Sequence, residues 1–169
     1  MDYQIKFNNI TDLADARFAA SVMAEWMGFS VGKAEDLSIP QIQEIINWCS
    51  GPKLTLELES TVTDSQVMTY CNALPVEAIE CNLEQHQILK AQLQGIEFIL
   101  TQPGPNFTHL TAEVSANNIT QLTELNPNFI EDNEVENFSI TCIHTKAGQA
   151  PGEKDFEDFY VFFEALKIL

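Results

Sequence analysis

Residues 5–31 read IKFNNITDLADARFAASVMAEWMGFSV, and this stretch decides the fold. Ile5–Ile10 is short and apolar-rich, as a strand would be. Thr11 or Asp12 can cap a helix that begins near Leu13. Leu13, Ala16, Ala19, Ala20 and Met23 then recur at helical spacing, and Trp26–Val31 returns to strand character. A strand, a helix and a second strand in so short a span imply parallel strands joined by a right-handed crossover. Ligands of such sheets gather where the strands end, which puts Asn8, Asn9 and Thr11 at the place to look.

Outward from this unit the alternation continues. Ile39–Ser50 is an amphipathic helix with Ser38 as cap and Pro40 in its first turn, stopped by Gly51-Pro52. Lys53–Glu59 alternates as a half-buried strand, and Asp64–Leu74 is a helix capped by Thr63 or Asp64. Ala78–Asn82 is a short strand, Glu84–Leu93 a helix stopped by Gly95, and Ile96–Thr101 a strand. Beyond it the rhythm is ragged. Residues 102–108 (QPGPNFT) form a loop where a helix is due, and Leu110–Ser115 is strand-like. Ile119–Leu125 makes two helical turns, and Asn128–Ile130 is a stub of strand. Phe138–His144 is a strand, and Asp155–Leu169 is a helix whose aromatic stripe is core packing. About eight strands and six helices in alternation predict an α/β fold. It is a TIM-type (β/α)8 barrel, shortened, with some helices missing or reduced to loops; an open doubly wound sheet is the alternative. No linker divides the chain, so residues 1–169 are expected to form one domain.

Composition narrows the function classes. The 169 residues are 45% hydrophobic, enough for a core but short of the roughly 250 of a full eight-fold barrel. A net charge of −17, from 25 acidic against 8 basic residues, repels polyanions. Nucleic acid and anionic membranes are therefore not expected partners. Neither a long apolar stretch nor a secretory leader pattern stands out, so the expected location is cytoplasmic. Cys49, Cys71, Cys81 and Cys142 are scattered without metal spacing and are expected to be small buried hydrophobes. No nucleotide fingerprint, cofactor motif or metal motif is present, and no cofactor is expected.

The opening stretch also resembles phosphoribosylanthranilate isomerase, whose usual form is roughly VKICGIT-x-x-x-DA-x-x-A with a later GF. Ile10-Thr11, Asp15-Ala16, Ala19 and Gly28-Phe29 fall in step without a gap. Residues 37–46 are similar to the family's RYISPEQAKEII, and Ala78–Asn82 to a fourth strand reading AVQLHG. Residues 150–155 (APGEKD) resemble SPGxKD, and Phe163-Glu164-Ala165-Leu166 a terminal FIEAV. The resemblance implies an Amadori rearrangement driven by a cysteine base and an aspartate acid. The base position carries Asn8, whose amide cannot take a proton near neutrality. Glu113 lies near the acid position. An arginine that supports the anthranilate side aligns with Glu35, a charge reversal. The phosphate turns become Glu131-Asp132-Asn133 and Thr145-Lys146-Ala147-Gly148. Two carboxylates there would cost a dianion on the order of a few kcal/mol, while Lys146 and Gly148 could keep a weak anion site.

If the barrel forms, Asn8, Glu57 or Glu59, Glu80, Asn82, Glu113, Glu131 and His144 should converge at its mouth. The candidate pocket is thus Asn8, Glu35, Glu80, Asn82, Glu131, His144, Lys146 and Gly148. Carboxylates with one histidine could hold a divalent cation, but the ordinary reading is that they face solvent or helix N-termini, and no metal is expected. His86 and His109 lack paired partners. Two functions stay open. One is a family-like scaffold without the isomerase reaction, kept for binding a small molecule or a protein. The other is an active isomerase of tryptophan biosynthesis, or a related isomerase, with altered residues. Trimmed helices would leave apolar flanks that a homodimer is one way to cover.

Overall fold

The computed structural model describes residues 4–100, 111–115 and 140–144; for the last two segments only the strand backbone is described. Strand β1 (Gln4–Asn8) stops because Asn9 turns to φ +54°, a left-handed conformation that asparagine tolerates. It ends two residues before the expected Ile10. Helix α1 (Leu13–Ser21) follows, with Asp12 as its cap: the Asp12 carboxylate accepts from the Asp15 N–H at 3.0 Å. The Asp15 carboxylate in turn accepts from the Thr11 N–H at 3.0 Å, so the turn is closed from both sides.

The remaining elements are β2 (Trp26–Val31), α2 (Ile39–Trp48), β3 (Lys53–Leu58), α3 (Asp64–Ala73) and β4 (Val76–Cys81), then α4 (Leu83–Leu89), β5 (Glu97–Leu100), β6 (Thr111–Ser115) and β7 (Ile140–His144). Three helices are shorter than expected, α3 by one residue, at Ala73. α2 ends at Trp48 rather than Ser50, because Cys49 turns extended ahead of Gly51 at φ +120° and Pro52. α4 ends at Leu89 rather than Leu93; Leu93 still reaches the core, from a turn. The expected elements at 119–125, 128–130 and 155–169 lie outside the described residues.

All seven described strands are parallel, in the order β5-β4-β3-β2-β1-β7-β6. That is the cyclic order of a barrel opened between β5 and β6. A doubly wound sheet would instead reverse direction at an internal strand. The first strand lies between the second and the last, and the fold is a shortened TIM-type (β/α) barrel.

Side chains alternate across this sheet. Ile5, Phe7, Met27, Phe29 and Leu54 face the helices and pack with Ala16, Phe18, Ala19, Ile42 and Ile45. Phe7 meets Phe18 edge to face, centroids 5.7 Å apart. Val31, Leu56, Ile79, Cys81 and Leu100 form a second outer cluster with Val67 and Leu89. The opposite parity faces the bore, where Trp26, Ala78 and Ile99 make a small apolar floor. A register shift in β4 matters here. Leu54 pairs with Val76 but Thr55 pairs with Ala78, so Glu77 is an extra residue. This bulge flips the phase of β4 and brings Glu80 into register beside Glu57.

Candidate functional site

Four polar side chains meet in the bore above that floor. The Lys6 ammonium is fully buried, 2.5 Å from Glu57 Oε1 and 2.8 Å from Glu80 Oε2. It also donates to the Asn8 side-chain oxygen. Glu57 Oε2 accepts from the Asn9 N–H at 3.0 Å, so one carboxylate joins the buried lysine to the loop after β1. One cation facing two carboxylates in a dry site leaves an excess negative charge. Burial accordingly pushes the Glu57 carboxyl up from its ordinary value and the Glu80 charge adds to this, while Lys6 opposes both.

Gly28 makes room for the cluster. A Cβ there would lie 1.7 Å from Glu57 Oε1 and 2.7 Å from Lys6 Nζ. The glycine of the Gly28-Phe29 pair is therefore required by the ion cluster, and Phe29 by the outer core.

Above the bore, at the ends of β1 and β2, lies a cavity of about 280 Å³. Asn9, Ile10 and Thr11 line one side, Phe29 and Ser30 the end of β2, and Lys33, Glu35, Asp36 and Leu37 the loop that follows. That loop is held locally: the Lys33 N–H donates to Asp36 Oδ2 at 2.6 Å, and the Lys33 ammonium lies 2.7 Å from Glu59 Oε1. The hydrogen bond to Glu59 raises the Lys33 pKa, so this group stays a cation. Ser30, 8% exposed, reaches the cavity from the end of β2.

The expected mouth residues separate into groups. Asn8 is buried at the end of β1, inside the bore rather than on the cavity wall. Glu80 is likewise in the bore, paired with Lys6. Glu35 does line the cavity. Asn82 does not; its side chain accepts from the Gln85 N–H at 2.9 Å and caps α4, because the strand ends at Cys81 and the next residue opens a helix. Of the two carboxylates in β3 and just beyond, Glu57 enters the bore and Glu59 holds Lys33. His144 pairs in register with Asn8, and Glu113 with Cys142, which pairs with Lys6. Glu131, Lys146, Gly148 and His109 lie outside the described residues. His86 packs edge-on against Phe98 at 4.9 Å, in the helix layer. Cys81 is buried and its thiol is pushed up to about 12, whereas Cys49 and Cys71 are only half-buried, contrary to expectation. Among the described residues, no three His, Cys, Asp or Glu side chains converge as a metal site requires, and no helix is long and apolar enough to cross a membrane.

Lys6 is the residue of the bore cluster that the sequence does not single out. Its signal is a charged residue inside an apolar strand, in phase with Asn8.

No protein-family model and no curated protein matches the chain. Solved structures do. The phosphoribosylanthranilate isomerase of Thermus thermophilus is similar at a TM-score of 0.69 with 14% identity, over 97% of this chain and 98% of that one. The Pyrococcus furiosus isomerase gives 0.65 with 12% identity, over 99% and 100%. Mutually generated monomers of the dimeric isomerase from Thermotoga maritima give 0.63 with 13% identity, over 99% and 100%. At such identities the likeness speaks for the barrel and leaves substrate and reaction to the residues of this chain.

Proposed function

We propose that this chain is a diverged barrel of the phosphoribosylanthranilate isomerase type that binds a small molecule at the β1–β2 mouth and does not catalyse the Amadori rearrangement. The observation that carries this reading is Asn8. It stands where the family's proton acceptor would be, buried, with its amide oxygen accepting from Lys6. A primary amide has no proton-accepting state near neutral pH. The neighbouring carboxylates offer no ready substitute, since Glu57 and Glu80 both face the Lys6 ammonium in the bore. Glu35 on the cavity wall further disfavours an anionic substrate.

Complementation of a tryptophan auxotroph lacking the isomerase tests the reading. No growth is expected at ordinary expression, and the purified protein should leave the fluorescence of phosphoribosylanthranilate unchanged. Restored growth with turnover in vitro would overturn it. A homodimer belongs to the same proposal, since Trp48 and Met23 expose apolar surface at 68% and 77% and the Thermotoga maritima relative is described as dimeric.

A further inference from the structure

We infer that the floor of the bore holds an internal water molecule, bound between the Trp26 indole and the Thr55 hydroxyl. The site lies below the ion cluster and away from the mouth, so it stands or falls independently of a ligand there.

Two side chains require a partner at this level. Trp26 is 1% exposed and Thr55 is fully buried. The Trp26 Nε1–H and the Thr55 Oγ each lack a hydrogen-bond partner among the described residues. Lys6, Asn8 and Glu57, by contrast, answer one another directly. A buried polar atom left unpaired costs more than holding one water molecule still.

The strand register brings the two side chains to one level of the bore. Thr55 pairs with Gly28 on β2 and with Ala78 on β4, and shares the bore face with both. Trp26 stands two residues before Gly28 on that same face. Its indole packs with Ala78 and with Ile99 of β5. The ring therefore reaches from β2 past β3, where Thr55 projects. Ala78 brings only a methyl group here, so the wall beside the hydroxyl is low.

The chemistry of the two groups selects the ligand. An indole N–H only donates, whereas a threonine hydroxyl donates or accepts. The bound species must accept from the first and can offer a hydrogen to the second. A cation has no acceptor for the indole. An anion would sit beneath the excess negative charge of Glu57 and Glu80. Water is small and does both.

Magnetic relaxation dispersion of water oxygen-17 counts held waters in the full chain, free of interference from hydroxyl protons. Thr55→Val keeps the shape and deletes the hydroxyl, and should lower the dispersion by roughly one water molecule. Its urea midpoint should fall below that of the wild type. An undiminished dispersion would overturn the site. So would a midpoint at or above the wild type's, since removing an unpaired hydroxyl from a dry floor stabilises the fold. The wild type gives a second reading that needs no variant. The Trp26 indole proton should show a cross-peak to water of opposite sign in the laboratory and rotating frames, the mark of a held molecule. Absence of that cross-peak would overturn the site even if Thr55→Val failed to fold.

Discussion

Glu57 serves two partners, the buried Lys6 ammonium and the Asn9 N–H, and its protonation state should be visible in stability. Burial raises its pKa in the folded chain, so folding strengthens its hold on the proton. The sign follows from linkage. The contribution is fully present below the unfolded value near 4.5 and is lost as pH rises through the raised folded value. Wild type should therefore lose stability relative to Glu57→Gln as pH climbs from about 4.5, measured by urea unfolding at stepped pH. A flat or rising difference would contradict this. The cluster is only partly legible in the sequence. Lys6 and Asn8 share a strand phase, but the carboxylate partners of Lys6 stand some fifty and seventy residues away. Glu57 and Glu59 share a parity as well. Only the end of β3 at Leu58 separates them, leaving Glu59 in a loop beside Lys33.

Elements were more legible than contacts, because caps and breakers act over three or four residues. Ser38, Thr63 and Asn82 each open a helix with a glutamine three positions on, closing a capping box. Asn82 shows the limit of such reading, since a residue just past a strand can serve a mouth or a helix equally well. Its bond to the Gln85 N–H makes it a cap. Asn82→Ala should lower stability by about 1 kcal/mol, read from the urea midpoint. An unchanged midpoint would contradict the capping role of Asn82. The β4 bulge was not legible at all. Nothing in VEAIEC announces that Glu77 is surplus, yet that one residue decides that Glu80 turns inward.

At the scale of the whole molecule, charge and apolar surface pull in opposite directions. Each copy carries −17, so two copies repel one another, while exposed Trp48 and Met23 favour association. Salt screens the first effect and spares the second. Sedimentation should accordingly detect a dimer that is tighter in roughly 200 mM salt than in 10 mM, where screening reaches ~30 Å. A monomer under both conditions would remove the dimer from the proposal. The strand order has a kinetic consequence as well. β1 to β4 each pair with their immediate successor in the chain, contacts of modest loop length. The pairing of β1 with β7 instead joins residue 4 to residue 140. That contact demands the largest loop closure among the described strands, and closure entropy disfavours forming it early. The arc from β1 to β5, with its own outer core, is expected to assemble before the β1–β7 seam. Lys6 would then meet its carboxylate partners, Glu57 and Glu80, before the seam forms.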